Sequence, residues 1–327
     1  MMHPRFLAGV AAVALLAGGS ALADPLPSWN DTGPKQSIIA FVESVTDPTS
    51  EAYVPEEDRI ATFDNDGTLW TEQPVYFQGL YALDVLQEKA KVDPDILTTD
   101  ALKAGAKGDV GGILATGMDG LLEVINVSHS GLTVEEFQAD ALDWLTNYTH
   151  PTTKKPYVDM VYQPMLELLS YLRDEGFTTY IVSGGGIDFI RAFSEDAYGI
   201  PPWQVVGTEG NTAFEVVDGL PMLTKNGGVT FIDDKEGKPV GIARHIGRKP
   251  IFAAGNSDGD FAMLQYTTSG AGPSYGLLVH HTDAAREFAY DREGHIGTLN
   301  RGLDEGPGLG WTIVDMAQDW AKVFPGE

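Results

Sequence analysis

The chain of 327 residues contains no cysteine. Disulfide bonds and thiolate chemistry are thereby excluded, and with its histidines scattered a structural zinc site is disfavoured. Positive charge is scarce: 21 Lys and Arg stand against 47 Asp and Glu, a formal net charge of −26. Such a chain suits neither nucleic acid nor anionic membrane surfaces, and an anionic substrate must be drawn in by a local positive site against the global field. Beyond the N-terminus no apolar run is long enough to span a bilayer. Residues 71–172 lack arginine altogether. There is no internal repeat and no low-complexity tail.

What is present begins at the N-terminus. A basic start at 1–5, an uncharged apolar stretch at 6–17 and the small-residue sequence Ala21-Leu22-Ala23 ahead of Asp24 have the layout of a cleaved signal peptide over 1–23. No cysteine follows the cleavage site, so a lipoprotein anchor is excluded. The mature protein is expected in the periplasm.

Length and apolar content allow one α/β domain with an insertion. After a lead-in over 24–30, residues 35–45 carry apolar side chains at helical spacing. Ile60-Ala61-Thr62-Phe63 is a short apolar run that stops abruptly at Asp64-Asn65-Asp66-Gly67-Thr68, a buried strand ending in a polar turn. From 71 to 157 the pattern is helical, with helices over 75–91, 121–127 and 134–148, a Gly-rich interruption at 105–120 and no strand. An amphipathic helix at 160–175 is closed by Gly176. A strand at 177–182 has Ser183-Gly184-Gly185-Gly186 at its tip, and a helix follows at 187–193. Short strand-like runs at 205–206, 214–217 and 229–232, with a turn at Asp218-Gly219, form a small β excursion. A short helix at 241–246 precedes a strand at 250–254, which ends in Gly255-Asn256-Ser257-Asp258-Gly259-Asp260. A helix from Phe261, a strand at 275–281 and a terminal amphipathic helix at 312–323 complete the pattern. The expected fold class is α/β: a Rossmann-like parallel sheet core over 24–71 and 158–327, an inserted, mostly helical cap over 72–157, and the small β excursion over 203–235.

Three strand tips thus carry polar, Gly-rich chemistry, and in a parallel sheet such tips gather on one rim. Two carboxylates at one tip repel each other and lose solvation, a cost that a divalent cation offsets. Asp64 and Asp66, Ser183 with its glycines, a lysine and the acids of 256–260 supply nucleophile, anion cradle, cation and metal ligands. These are the parts for phosphoryl transfer through an aspartyl phosphate. Each motif alone is weak; the four in order are strong.

In content and order, Asp64-Asn65-Asp66-Gly67-Thr68, Ser183, Lys238 and Gly255-Asn256-Ser257-Asp258-Gly259-Asp260 resemble the motifs of the haloacid dehalogenase (HAD) superfamily, in its phosphatase branch similar to phosphoserine phosphatases. The resemblance implies that Asp64 is the nucleophile and that Asp66 protonates the leaving alcohol and later deprotonates water. It implies that the Gly67-Thr68 turn aims both acids, and that Ser183 and the amides around Gly184 hold phosphate oxygens at a helix start. Lys238 would balance charge. Mg2+ would be bound by Asp64, the Asp66 carbonyl and the last motif. Lys225 and Lys235 compete for the lysine role; Lys238 is preferred because its segment leads into the helix before the fourth motif. One departure is Gly255-Asn256, where many relatives have Gly-Asp. Asn can ligate but is neutral, so the site leans on neighbouring acids, and which of Asn256, Asp258 and Asp260 ligate stays open.

The expected activity is hydrolysis of a small phosphate monoester. Asp66 is what an ester's leaving group requires, so the dehalogenase reaction is disfavoured. A phosphotransferase would use the same acids, while an inactive binding protein should lack one of these residues, and none is missing. Expected substrate contacts are Thr68, Gly184, Trp70 and Glu72. With no arginine fork in the cap, a carboxylate-bearing leaving group is disfavoured, and Trp70 with Glu72 suggests a neutral or cationic one. His129, His150, His245, His280, His281 and His295 read as packing or surface residues.

Overall fold

A computed structural model describes residues 23–327. The signal peptide expected over 1–23 therefore lies, but for Ala23, outside the described residues. Seven strands, β1 (Ile60–Phe63), β2 (Thr178–Gly186), β3 (Val205–Val217), β4 (Leu220–Phe231), β5 (Phe252–Gly255), β6 (Tyr275–His280) and β7 (Thr312–Asp315), form one sheet in the order β4-β3-β2-β1-β5-β6-β7. Every neighbouring pair is parallel except β3 and β4. Parallel strands covered on both faces are apolar throughout rather than alternating, and β1 and β5 are buried at every position. One face, carrying Phe63, Ile181, Phe252 and Ala254, packs with helices Gly33–Thr46 and Gln163–Asp174. The other, carrying Val182, Val206, Ala253 and Leu278, packs with helix Phe261–Thr268.

The chain builds outward from β1 through β2 to β3, then returns to β5 beside β1 and builds outward the other way. The strand order reverses between β1 and β5, and the crevice outside the carboxyl ends at such a reversal is where open α/β sheets bind ligands. Asp64 follows β1 there and Asn256 follows β5.

Between β1 and helix Gln163–Asp174 the α-helices are Phe77–Val92, Asp100–Gly105, Val110–Leu114, Gly117–His129 and Val134–Asn147. The first four share an apolar cluster of their own, including Leu83, Leu86, Leu102, Ile113 and Val124, while Phe137, Ala141 and Leu145 of Val134–Asn147 join the main core. No helix among the described residues is long and apolar enough to cross a membrane.

The structure departs from the sequence pattern in several places. The stretch 312–323 is not one helix: Thr312–Asp315 is strand β7, and Met316–Asp319 alone is helical. Thr312, Ile313 and Val314 are β-branched, and β6 offers them an edge in register from Leu277↔Thr312 to His280↔Asp315. The β excursion is a hairpin of 13- and 12-residue strands, closed by Asp218 (φ 53°) and Gly219 (φ 83°), the left-handed pair that a tight hairpin turn demands. Strand β2 runs on through Ser183-Gly184-Gly185-Gly186, with a register break against β3 between Ser183 and Gly186. The helix expected at 241–246 starts earlier, as Gly237–Gly241, and widens to a π turn over Ile242–Ile246.

Candidate active site

The turn after β1 is held from all sides. The Asn65 carbonyl accepts from the amides of Thr68 (3.2 Å) and Leu69 (2.8 Å), and Gly67 N–H donates to Trp70 O (2.8 Å). Gly67 has φ +76°, and a Cβ there would stand 2.0 Å from Asn256 Nδ2, so backbone and space both require glycine. Tyr198 OH donates to Asn65 Oδ1 (3.0 Å), and Trp70 Nε1 donates to Asp66 Oδ1 (2.7 Å).

Two expected substrate contacts are corrected here. Trp70 is 1% exposed and stacked on Phe193 (centroids 4.4 Å apart), outside the cavity lining. A buried indole N–H needs a partner, and Trp70 takes Asp66 as its own, so it orients that acid. Thr68 is also fully buried and outside the lining. Its hydroxyl lies 3.2 Å from Asn256 Oδ1 and 3.5 Å from Asp64 Oδ2, which places those two oxygens in one neighbourhood.

Lys238 is the lysine of the site. It is 1% exposed, and Nζ donates to Asp64 Oδ1 (2.5 Å), Asp260 Oδ1 (2.7 Å) and Val182 O (2.9 Å). All three donors of the ammonium are used. Burial works against its charge, but Asp260 and Asp64 overcome that and raise its pKa above the ordinary lysine value. Lys235 lies exposed in the preceding turn and Lys225 pairs with Asp188 instead.

The fourth motif divides its work. Asp260 Oδ2 accepts from the amides of Asn256 (2.9 Å) and Ser257 (3.1 Å), so this carboxylate shapes the loop while its other oxygen holds Lys238. Asn256 is buried with Nδ2 on Glu72 Oε1 (2.6 Å) and Oδ1 toward Thr68 and Asp64. Asp258, expected among the metal ligands, points elsewhere: its oxygens accept from the amides of Asn300 (3.1 Å), Arg301 (3.0 Å) and Gly302 (2.9 Å). Free amides at the start of a helix compete for a nearby carboxylate, and Asp258 caps Arg301–Glu305 rather than joining the site. Glu72, expected to touch substrate, is tied to Asn256 and to Tyr290 OH (2.8 Å), although it borders the cavity.

Lys238 is bonded to Asp64 and Asp260 and its charge reaches Asp66, whereas Glu72 feels the charges of Asp66 and Asp64. Burial raises Asp64 well above the usual carboxylate range, the charge of Asp260 adds to this, and Lys238 offsets part of it. Burial raises Asp66 to about 6 against the Trp70 hydrogen bond. Burial raises Glu72 well above its ordinary value too. Among the described residues no three His, Asp or Glu side chains stand gathered for a metal ion. The donors present are mixed instead: a carboxylate oxygen of Asp64 and the amide oxygen of Asn256, each within 3.5 Å of the Thr68 hydroxyl, in surroundings short of positive charge. Oxygen donors with excess negative charge fit a hard divalent cation.

Above this floor is a cavity of about 290 Å3. Ser183 and Gly184 line one side. Of the amides expected to cradle phosphate, that of Gly185 donates to Ser183 Oγ (3.1 Å) and that of Gly186 to Gln78 Oε1 (2.8 Å). Gln78 comes from helix Phe77–Val92, and its Nε2 reaches His129 Nε2 (3.1 Å). The amide donates, so His129 carries its proton on Nδ1, toward Ser128 Oγ (2.7 Å). Burial, with Lys225 and Lys89, pushes the His129 pKa down to about 3, so the ring is neutral. The far walls are mainly apolar, with Leu121, Leu122, Ile125, Phe137 and Val229, and hold the buried pair Lys225–Asp188, whose ammonium lies 4.6 Å over the Phe137 ring.

Gln78, His129, Lys225 and Asp188 belong to no motif, and only tertiary contact brings them together. His281, read from the sequence as a packing or surface residue, is a packing residue with a specific contact. It is buried under the turn after β1 with Nε2 donating to Gly67 O (2.8 Å).

The family of haloacid dehalogenase-like hydrolases matches residues 61–265. No curated protein sequence matches the chain. Solved structures that resemble it include a conserved protein of unknown function from Anaerococcus prevotii, with 19% identity over 76% of this chain and 86% of that one and a TM-score of 0.49. Another is a protein of unknown function from Bordetella pertussis, with 16% identity, 79% and 98% coverage and a TM-score of 0.48. A phosphoserine phosphohydrolase-like protein from Francisella tularensis has 17% identity, 77% and 99% coverage and a TM-score of 0.38. The sequence match spans more than half of the chain, and the chain belongs to the haloacid dehalogenase-like hydrolase family.

Proposed function

We propose that the protein is an exported, Mg2+-dependent phosphomonoester hydrolase that works through a phosphorylated Asp64 on a small organic phosphate. The observation that carries this reading is Lys238, buried and bonded to both Asp64 and Asp260 at the floor of the cavity. It ties Asp64 to a cation beside a second acid, Asp66, that burial keeps protonatable near neutral pH.

In the first step an Asp64 carboxylate oxygen attacks phosphorus. The ester P–O bond breaks as the new one forms, and Asp66 gives its proton to the departing alcohol. In the second step Asp66 takes a proton from water, the hydroxide attacks phosphorus, and the bond to Asp64 breaks, releasing inorganic phosphate. Lys238 balances charge at Asp64 in both steps, and Ser183 donates to a phosphate oxygen. Asp64, the Asp66 main-chain carbonyl and Asn256 would hold Mg2+, which would supply positive charge to the phosphate oxygens. The leaving group meets an apolar wall and an ion pair that cancels, which supports a neutral organic group. A cationic one would draw on Trp70 and Glu72, and both face other partners.

Phosphate release from an aryl phosphate, with Mg2+ and with chelator, tests the reading, together with mass analysis for phosphate on Asp64. Turnover is expected to stop with the chelator. Turnover indifferent to chelation, or phosphate on another residue, overturns it. Export rests on residues 1–23 and predicts a mature mass beginning at Asp24; retention of that segment in exported protein refutes it.

A further inference from the structure

Glu72 is 2% exposed, and the partners of Oε1 are both neutral: Asn256 Nδ2 at 2.6 Å and Tyr290 OH at 2.8 Å. The carboxylate fits a slot with glycine walls. A Cβ on Gly67 would come within 2.5 Å of Oε1, and one on Gly297 within 2.1 Å. Tyr290 stacks on His281 (4.4 Å), whose Nε2 holds the Gly67 carbonyl at 2.8 Å. The catalytic turn, Asn256 and the segment after β6 are thus all built around one acid. Hydrogen bonds from neutral donors do not repay the burial of an isolated charge, so Glu72 can carry its charge only with a cation close by.

The pairing also fixes the amide. Glu72 Oε1 accepts from Asn256 Nδ2 (2.6 Å), which turns Oδ1 the other way. There Oδ1 takes the Thr68 hydroxyl (3.2 Å), which also lies 3.5 Å from Asp64 Oδ2.

We infer that Glu72 is the charge partner of Asn256. It locks the amide with its carbonyl oxygen toward Asp64, and it supplies from behind that amide the negative charge that an aspartate at 256 would carry. The site keeps its charge, moved from the loop after β5 to the loop after β1. Glu72 is in this sense a positioning residue, and the inference rests on the proposed Mg2+ site.

The test is Mg2+ binding to substrate-free protein by calorimetry, with melting followed in the presence and absence of Mg2+; neither requires turnover. Wild-type protein that binds no Mg2+ overturns the metal reading and this inference with it, and the variants separate the two. E72Q is expected to weaken Mg2+ binding about 10- to 100-fold, the range over which outer partners of metal ligands act. N256D places two carboxylates in contact and is expected to lower the metal-free melting temperature when Glu72 is present. In the E72Q background the same change restores one acid and one amide in exchanged places. The double variant is expected to regain most of the lost affinity and to melt higher than N256D, a non-additivity that marks direct coupling. E72Q binding Mg2+ as tightly as wild type, or the double variant binding no better than E72Q, overturns the inference while leaving phosphatase activity intact as a reading.

Discussion

At the carboxyl ends of β1 and β5 the groups that meet are polar, mostly charged, buried and bonded to one another: Lys238 to Asp64 and Asp260, Asp260 to the Asn256 main-chain N–H, the Asn256 side chain to Glu72. Across the cavity, the walls from helix Gly117–His129 and the β3–β4 hairpin are mainly apolar, and the charged pair there cancels. A floor of this kind is a network in which each group answers for another's charge, so removing one leaves others buried and unpaired. A roof of this kind touches the ligand through shape, and its members are replaceable at smaller cost. Floor and roof should therefore fail differently: the first in chemistry, the second in selectivity.

The largest effect is expected at Asp64. Asp64→Asn keeps the size of the side chain and its contact with Lys238 but removes the attacking oxygen. Turnover of every ester should drop by about 10^4-fold or more, as removal of a nucleophile does, and no phosphate should be trapped on the protein. A variant that still hydrolyses an aryl phosphate at roughly a tenth of the wild-type rate moves the nucleophile elsewhere and dissolves the distinction between floor and roof.

Asp66 comes next because its contribution depends on the leaving group. Asp66→Asn should slow an alkyl phosphate by about 10^2- to 10^4-fold and an aryl phosphate by much less, because only a poor leaving group needs the proton. Asp66 titrates at about 6, so it is protonated below that pH and ionised above. With wild type, kcat for the alkyl ester should fall as pH climbs past about 6, and Asp66→Asn should lose that dependence. Equal slowing of both esters would show that Asp66 is not the acid.

Much of the floor was legible in the sequence, and little of the roof. Asp64 and Asp66 stand two apart at the end of an apolar run, and a strand tip needs no tertiary information to be seen. The sequence order already favours Lys238 over Lys225 and Lys235; what spacing along a loop does not show is that its ammonium reaches back to Val182 O as well as to both acids. Asp258 looks like a ligand because its sequence neighbours do; the helix it caps begins 43 residues later, at Arg301. Trp70 and Glu72 follow the catalytic turn, which suggests that they face the substrate, but the chain doubles back there, with Gly67 N–H on Trp70 O. In the terminal segment, Thr312, Ile313 and Val314 fit a helical apolar pattern as well as a strand. The open edge of β6, visible only in three dimensions, decided between them.

Asp233 sits where the hairpin rejoins the floor and tests how separate the two regions are. It is fully buried, neither carboxylate oxygen has a well-formed hydrogen bond, and burial raises its pKa from 3.8 to about 7 against the charge of Lys238 and the nearby Ser183 amide. The folded pKa lies above the unfolded one, so the fold is favoured at low pH and loses stability as pH rises through the window from 3.8 to about 7. Asp233→Asn has no such loss. Its advantage over wild type in urea unfolding should be near zero at pH 4 and reach roughly 2–4 kcal/mol by pH 8, at about 1.4 kcal/mol for each tenfold change in the acid's ionisation constant. Parallel pH curves for the two proteins would mean that Asp233 ionises without penalty and is already paired.

The smallest effect, and the one most specific to the roof, is expected at Lys225. It is paired with Asp188 over the Phe137 ring and lines the cavity. Lys225→Gln retains a donor for Asp188 but removes the positive charge, so the far wall changes from balanced to negative. Inside a low-dielectric cavity one uncompensated charge discriminates between leaving groups more strongly than it would at a surface. For wild type, kcat/KM should differ little between a phosphate ester bearing an ammonium, such as phosphoethanolamine, and one bearing a carboxylate as well, such as phosphoserine. In Lys225→Gln the ratio should move toward the ammonium ester by about tenfold, or about 1.4 kcal/mol of differential binding. An aryl phosphate, which brings no second charge, should serve as the internal reference. If the variant slows all three esters equally, Lys225 contributes to the chemistry and belongs with the floor. If the ratio moves toward phosphoserine, the far wall does not turn negative when Lys225 loses its charge, and the charge balance of the roof is the reverse of the one drawn from the pair.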